Sequence, residues 1–262
     1  MQLSIITINY NNKSGLKQTV ESVLSQSFTD FEYIVIDGGS TDGSVDIIKN
    51  NSGEIDYWVS ENDFGIYDAL NKGIGKANGN YLMFLNSGDC FAGNNTLDLV
   101  HQQLNNAPDI DVFYGDTYFK TRNPDKTSLH KHPAVLDLWF LKDKNLNHQS
   151  TVIKSGLFKE FGCYPLEYKL AADHWLYLKS FIAGKRFLHI DCALAIYDRQ
   201  GLSHTNYELY RQEMTDMWEN LVPEYAKQLI DKLEEYRRKF NFVIVKVSIA
   251  INAAVQKIRN KH

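Results

Sequence analysis

Four polar residues, Asn86-Ser87-Gly88-Asp89, follow directly on the apolar run of residues 81–85. A short apolar run that ends in turn residues is typical of a strand buried on both faces. Ligands of open α/β sheets bind at the carboxyl ends of strands, so a carboxylate here can reach a divalent cation or a sugar hydroxyl. Alternatively, Asp89 only ends the strand through an Asx-turn, and this stretch alone favours neither interpretation.

Two earlier strand ends carry polar loops that could bind a nucleotide. The loop that begins at Asn9 and Tyr10 has neither the Gly-x-Gly-x-x-Gly of a dinucleotide fold nor the Gly-Lys-Ser/Thr of a P-loop. It offers an aromatic face and amides, which suit stacking on a base and bonding to its edge. After the second strand, Asp37 is placed to accept the N3–H of a uracil.

The elements that must position these loops alternate between strand and helix. The apolar patterns predict strands over residues 3–8, 31–36 and 55–60 and a fourth from residue 81. They predict helices over residues 16–27, 45–50 and 71–78, the second with Asp42 or Ser44 as its N-cap. Such alternation predicts an α/β fold whose central sheet is mainly parallel and flanked by helices.

The charge distribution limits the class of function. Residues 1–100 contain 5 Lys and no Arg against 13 Asp and Glu, whereas residues 227–262 contain 9 Lys and Arg against 3 Asp and Glu. The acidic first part argues against a phosphate site built from basic side chains, and we expect no nucleic-acid partner. A metal ion is the expected bridge to phosphates, and the basic tail suits an anionic surface.

Eight segments in order form a wider pattern: SIITINYN (4–11), SVLSQSF (22–28), EYIVIDGGSTDG (32–43), SENDFGIYDALNKGI (60–74), FLNSGD (84–89), YGD (114–116), NHQST (147–151) and LAADH (170–174). Together they resemble family 2 glycosyltransferases of the GT-A fold, over about residues 3–205. The segments 60–74, 114–116, 147–151 and 170–174 are similar in particular to a bacterial branch that builds O-antigen, capsule and colanic-acid-type polysaccharides.

The resemblance implies an inverting transfer from a nucleoside-diphosphate sugar, with UDP as the expected nucleotide. The donor-binding residues that it implies are Thr7, Asn9, Tyr10, Asp37, Asp63, Asp68, Lys72, Asn86, Ser87 and Gly88. The metal motif of the family is Asp-any-Asp, and this chain keeps one carboxylate of it, Asp89. We expect Asp89 to bind Mn²⁺ or Mg²⁺ with help from the substrate phosphates.

The resemblance also implies where the acceptor reacts. Asp173 stands where the family carries its catalytic base, and one carboxylate must take the proton of the acceptor hydroxyl. Alternatively, Asp173 is only a first-turn residue favoured by the helix dipole. His148 and Gln149 resemble an acceptor-side motif. For the donor candidates Asp63, Asp68 and Lys72, a solvated loop with an Asp68–Lys72 ion pair is an equally good interpretation.

The C-terminal part predicts a separate role. Residues 207–238 favour one or two helices, and residues 240–255 are mostly apolar between basic ends. That pattern suits a helix lying in a membrane interface. Residues 240–255 could alternatively pack on the catalytic domain, form a dimer contact or form a strand.

These patterns combine into one hypothesis. Residues 1–205 form the catalytic domain, with a nucleotide-binding half (1–100) and an acceptor-binding half (101–205), and residues 206–262 form a helical extension. The enzyme would act in the cytoplasm, peripherally at the inner face of the cell membrane, on a polyprenyl-diphosphate-linked glycan, and could be a homodimer. The alternatives are a non-catalytic scaffold that binds partner transferases and a nucleotidyltransferase.

Overall fold

The computed structural model describes residues 2–121, 126–198 and 206–240. The chain divides into two compact units, Met1–Trp218 and Glu219–His262. The first unit extends thirteen residues beyond the boundary of 205 that the sequence predicts. It contains a nine-stranded sheet covered by helices.

The first four strands form the parallel half of the sheet. They are β1 (Leu3–Asn9), β2 (Glu32–Asp37), β3 (Tyr57–Ser60) and β4 (Tyr81–Phe84), in the spatial order β3-β2-β1-β4. Every residue of β1, β2 and β4 is buried, as their continuous apolar runs predict for strands covered on both faces.

Helices connect these strands: α1 (Lys13–Leu24), α2 (Ser44–Asn50) and α3 (Ile66–Ile74), followed by α4 (Thr96–Asn106). Helix α3 begins five residues before its predicted start, because Gly65, at φ +113°, turns the chain directly into it. The residue at the N-cap of α2 is Gly43 rather than Asp42 or Ser44, although the Asp42 carboxylate still accepts a hydrogen bond from the Ser44 amide.

The second half of the sheet is mixed. Its strands are β5 (Cys90–Phe91), β6 (Val112–Lys120), β7 (Thr127–His130), β8 (Thr151–Lys154) and β9 (Phe187–Tyr197). Strand β8 is antiparallel to both β4 and β6, and β9 is parallel to β6. The predicted α/β architecture is confirmed, and its sheet is wholly parallel from β1 to β4 but mixed in the second half.

This topology brings the polar segments to one edge. Because β8 reverses direction between β4 and β6, the carboxyl ends of β1, β2, β4, β6 and β9 meet there, together with the amino end of β8. The remaining helices that begin in the first unit are α5 (Leu138–Asp143), α6 (Gly156–Phe161), α7 (Ala172–Ile182) and α8 (Tyr207–Leu221), and a short 3-10 helix covers His148–Ser150.

Two helices cover the first part of the predicted extension, as its sequence pattern indicates. Helix α8 continues from the first unit into the second, and α9 follows over residues 224–240. Five exposed apolar or aromatic residues lie on α9 at spacings of four, four, three and four: Tyr225, Leu229, Leu233, Tyr236 and Phe240. Of the proposed interfacial segment, residues 241–255 lie outside the described residues. Among the helices that the structure describes, none has the length and apolar character to cross a membrane.

Candidate active site

A cleft of about 760 Å³ opens at the edge where the strand ends meet. Both halves of the first unit line it. The predicted site residues on its wall are Asn86, Ser87, Gly88, Asp89, His148, Gln149 and Asp173. Residues 86–89 come from the end of β4, whereas Asp173 comes from α7, so the fold brings together residues that are more than eighty positions apart.

The other predicted donor residues do not line this cleft: Thr7, Asn9, Tyr10, Asp37, Asp63, Asp68 and Lys72. Thr7 is fully buried, and its hydroxyl accepts a hydrogen bond from Tyr33. Tyr10 is 67% exposed and leaves a ring face accessible for stacking. Gly38 directly follows β2, and a Cβ atom on it would collide with the Asp63 carboxylate and contact the Tyr10 ring. Asp63 and Tyr10 therefore lie next to the end of β2.

Asp37 is buried and heavily hydrogen-bonded. Its carboxylate accepts from the Ser40 hydroxyl (2.6 Å), the Ser60 hydroxyl (2.6 Å), the Asn9 amide (2.7 Å) and the Ser40 backbone amide (2.9 Å). Burial acts to raise the pKa of Asp37, but these four hydrogen bonds outweigh it and hold the pKa below its ordinary value. An ionised acceptor therefore stands at the end of β2, with Ser40, Ser60 and Asn9 already around it.

The loop before α3 forms the ion pair that the alternative interpretation predicts. Lys72 lies 2.9 Å from the Glu61 carboxylate and 3.7 Å from that of Asp68. Asp63 and Asp68 accept hydrogen bonds from the backbone amides of Gly65 and Phe64. These carboxylates organise the loop itself, and their part in donor binding stays a prediction.

Asp89 lies at the bottom of the cleft and is 4% exposed. One carboxylate oxygen accepts a hydrogen bond from the Asp198 amide and the other from the Gln149 side chain, both at 3.0 Å. Burial raises the pKa of Asp89 to about 7, although these two hydrogen bonds and the charge of Lys120 act in the opposite direction. Gln149, predicted to contact the acceptor, orients the Asp89 carboxylate in this structure.

Lys120 and Asp198 adjoin Asp89, and the sequence analysis missed both. The Lys120 ammonium donates to the Gly88 carbonyl at 2.8 Å and lies 3.4 Å from the Asp198 carboxylate. Lys120 ends β6 and Asp198 follows β9. Asp89 was identified because polar residues at the carboxyl end of a strand tend to bind ligands. The same rule would have identified Lys120 and Asp198 if the directions of β6 and β9 had been known.

The oxygen atoms around Asp89 fit a divalent cation that is shared with substrate. No group of three or more His, Cys, Asp or Glu side chains in the described parts of the chain could hold a metal ion alone. However, the side-chain oxygen of Asn86 is buried without a hydrogen-bond partner among the described residues, and Asn86 lines the same cleft as Asp89 and Asp198. Oxygen ligands of this kind suit Mg²⁺ or Mn²⁺ when substrate phosphates complete the coordination.

Asp173 lies in the first turn of α7, and its carboxylate is held on both sides. The Tyr67 hydroxyl donates to one oxygen and the Asn145 side chain to the other, both at 2.9 Å. Each oxygen of a carboxylate can accept two hydrogen bonds, so each retains one acceptor position. Tyr67 and Asn145 were not identified as site residues, although Tyr67 lies in a segment that carries the family resemblance.

Two histidines flank Asp173 in the neutral state. His148 Nδ1 lies 3.9 Å from the Asp173 carboxylate, and burial lowers the pKa of His148 despite that charge. Burial also lowers the pKa of His174 to about 3. His174 Nδ1 lies 3.3 Å from the side-chain oxygen of Asn145, which turns the amide nitrogen of Asn145 toward Asp173.

Comparison with protein families gives one match that covers most of the chain. The profile of the family described as "Glycosyl transferase family 2" matches residues 4–166. An uncharacterized glycosyltransferase of Mycobacterium tuberculosis is 34% identical over 208 residues, covering 76% of either chain. A Mycobacterium bovis protein named PGL/p-HBAD biosynthesis glycosyltransferase is 31% identical over 210 residues, covering 77% of this chain and 79% of its own.

Solved structures of similar fold include TarS of S. aureus. Its fragment 1–349 with UDP-GlcNAc superimposes with a TM-score of 0.69 at 20% identity, covering 88% of this chain and 70% of the fragment. This chain spans 42% of the longer TarS chain. The mannosyltransferase PcManGT of Pyrobaculum calidifontis, in complex with GDP-Man and Mn²⁺, gives a TM-score of 0.62 at 16% identity, covering 81% and 61%. These likenesses confirm the predicted GT-A fold.

Proposed function

The chain belongs to glycosyl transferase family 2, and we propose that it transfers a sugar from a UDP-sugar to a hydroxyl of a glycan acceptor, with inversion at the anomeric carbon. The observation that carries this proposal is the single cleft shared by Asp89 and Asp173. A donor diphosphate at Asp89 and an acceptor hydroxyl at Asp173 would meet within it.

The choice of UDP rests on the end of β2 and on the solved relatives. Tyr10 offers an exposed ring and Asp37 an ionised carboxylate beside it, as base stacking and an N3–H hydrogen bond require. The Asp37 carboxylate already accepts four hydrogen bonds, so the N3–H of a uracil could bond to it only if Ser40 or Ser60 gave up its own hydrogen bond. TarS, which has this fold, is solved with UDP and with UDP-GlcNAc. The identity of the sugar depends on contacts that the family does not fix.

Asp173 would act as the general base. Its carboxylate takes the proton from the acceptor hydroxyl while that oxygen attacks the anomeric carbon from the face opposite the diphosphate. The bond from that carbon to the diphosphate oxygen breaks, and its electron pair leaves with UDP. Tyr67 and Asn145 hold the carboxylate in one orientation, and His148, kept neutral by burial, places no positive charge beside it.

Asp89, Asp198 and the side-chain oxygen of Asn86 would hold a Mn²⁺ or Mg²⁺ ion. When bound, such an ion offsets the negative charge that grows on the leaving diphosphate. Lys120 adds a second positive charge at the same end of the cleft. A solved relative of this fold contains Mn²⁺ with its nucleotide sugar.

The acceptor and the location belong to the same proposal. We expect a polyprenyl-diphosphate-linked glycan, reached at the cytoplasmic face of the cell membrane through the C-terminal segment. The excess of basic residues in 227–262 and the exposed apolar residues of α9 support attachment to an anionic bilayer. Sedimentation of the full chain with anionic vesicles, but not with zwitterionic ones, tests this attachment. The assignment to the O-antigen and capsule branch and the possible homodimer stay predictions.

Release of UDP is the experiment that tests the reaction. Purified protein is incubated with UDP-glucose, UDP-galactose and their N-acetylamino forms, in Mn²⁺, Mg²⁺ or EDTA. We expect slow hydrolysis of one donor, faster with metal, because water can replace the absent acceptor. If no donor is hydrolysed and calorimetry detects no UDP binding, the proposal of a UDP-sugar donor is wrong.

The hydroxyl of Tyr67 gives a prediction about the base. Tyr67→Phe removes one of the two hydrogen bonds that orient Asp173, and a hydrogen bond to a charged group contributes about 1.5–3 kcal/mol. We expect kcat for transfer to fall by about 10- to 100-fold while KM for the donor changes little.

A neighbouring ring supplies the control for this prediction. Tyr164 packs against Tyr67 with ring centroids 5.3 Å apart, and its buried hydroxyl has no hydrogen-bond partner among the described residues. Tyr164→Phe should therefore leave kcat unchanged. Equal effects of the two substitutions on kcat would show that Tyr67 does not position the base through its hydroxyl.

A further inference from the structure

We propose that helix α8 is a working part of the catalytic site, and that Glu213 on α8 positions Asp173 by holding the turn that precedes α7. This inference rests on the proposed role of Asp173 as the base. It changes the role of α8, which the sequence assigns to an extension outside the catalytic domain. Glu213 is a positioning residue, since it contacts backbone amides and lies behind the cleft wall.

The contacts of Glu213 are those of an anion held by consecutive amides. Its side chain is buried, 7% exposed. One carboxylate oxygen accepts from the Lys169 amide at 2.6 Å, and the other accepts from the amides of Leu170 and Ala171, both at 2.9 Å. Three charge-assisted hydrogen bonds offset the cost of burying a carboxylate and fix the conformation of residues 169–171.

Helix α7 needs such a partner at its amino end. Its N-cap residue is Ala171, which has no side chain able to cap the helix. Glu213 satisfies the N-cap amide from a different helix and places a negative charge near the positive end of the helix dipole. Because Glu213 provides the negative charge at the start of the helix, the Asp173 carboxylate, two residues further on, accepts its hydrogen bonds from Tyr67 and Asn145.

A second residue of α8, Tyr210, supports the Asp173 carboxylate through Asn145. Tyr210 lines the cleft, and its hydroxyl lies within hydrogen-bonding reach of the side chain of Asn145, one of the two residues that hold Asp173. Tyr210 also lies close enough to Asp173 to interact with its charge. Glu213 and Tyr210 are three positions apart, so they lie on one face of α8. That face supports Asp173 both through the helix α7 and through Asn145.

The decisive variant is Glu213→Gln in the full chain. Glutamine keeps the volume of glutamate but loses the charge and turns an amide nitrogen toward backbone N–H groups. We expect kcat for sugar transfer to fall by about tenfold or more, with UDP affinity and donor KM unchanged, because residues 1–100 are untouched. The matched control is Asp216→Asn on the same helix, which weakens only the exposed hydrogen bond from Tyr168. It should retain full activity.

A double-mutant cycle shows whether Glu213 acts through Asp173. Glu213→Gln and Tyr67→Phe disturb the same carboxylate from two sides, so their effects on kcat should not multiply as independent effects do. Tyr210→Phe loses only a hydroxyl and tests the same face of α8 if Glu213→Gln proves too unstable to assay. Turnover within twofold of wild type in the variant assayed, a parallel loss of UDP affinity, or strictly multiplicative effects would overturn the inference.

These results separate the inference from the function on which it rests. If the wild-type protein transfers sugar and Glu213→Gln transfers it equally well, only the role of α8 is wrong. If the wild-type protein neither hydrolyses nor binds any UDP-sugar, the proposed function and this inference are wrong together.

Discussion

Asp173→Asn is expected to lower kcat for sugar transfer by about 10² to 10⁴-fold, the contribution of a positioned general base. Asparagine matches aspartate in shape and still accepts a hydrogen bond, but it cannot take the proton of the acceptor hydroxyl. UDP binding should be retained, because the predicted donor residues lie on other elements. Transfer to acceptor and UDP affinity by calorimetry, measured on one preparation, check both parts.

The competing explanation of Asp173 is that it only stabilises the start of its helix, and Asp98 tests that explanation. Asp98 lies in the first turn of α4 and accepts a hydrogen bond from Ser27 outside the cleft. Asp98→Asn should cost a few tenths of a kcal/mol of stability and no activity. If Asp173→Asn also loses stability but retains turnover, Asp173 is a helix residue and the base lies elsewhere.

Much of the fold could be predicted because each parallel strand carries its own burial pattern. The runs at β1, β2 and β4 are apolar at consecutive positions, so their existence and order follow from the sequence. The reversal at β8 could not be predicted in this way. Strand β8 has only four residues, and its direction is set by pairing with β4 and β6, which are far from it in sequence.

The same limit explains which site residues the sequence shows. Asp89 and Asp173 lie in motifs whose order along the chain carries the family resemblance. Lys120 and Asp198 reach Asp89 only because β6 and β9 run parallel to β4, which no local pattern records. Asn145 lies in a loop between helices, where neither periodicity nor a strand end marks a position. The sequence therefore identifies the groups expected to react and, apart from Gln149, misses those that hold them in place.

Asp89→Asn is expected to have opposite effects on activity and stability. Metal-stimulated turnover should be lost, because the variant loses the negatively charged ligand at the bottom of the cleft. In EDTA, however, the variant should be more stable than wild type above neutral pH. The wild-type carboxylate is buried, and its pKa rises from the ordinary value of 3.8 to about 7 in the folded protein.

The direction of the pH dependence follows from that shift. Between about pH 4 and pH 7 the unfolded chain has released the Asp89 proton while the folded protein still holds it. The free energy of unfolding therefore falls as pH rises, by up to about 1.4 kcal/mol per pH unit, and levels off above pH 7. Asp89→Asn lacks this pH-dependent loss. The difference in free energy of unfolding between the variant and the wild type should therefore shift in favour of the variant by about 1–3 kcal/mol between pH 5 and pH 8.

Urea unfolding tests whether this stability effect depends on the metal. It is measured at pH 5 and pH 8, with EDTA or with Mn²⁺. A bound cation would favour the ionised carboxylate, so Mn²⁺ should stabilise wild type at pH 8 and leave Asp89→Asn unchanged. Stabilisation of both proteins by Mn²⁺, together with metal-stimulated turnover in the variant, would show that the cation binds elsewhere. Asp89, the single carboxylate that remains of the Asp-any-Asp motif, would then only link Gln149 to the backbone of Asp198, with the charge of Lys120 acting on it.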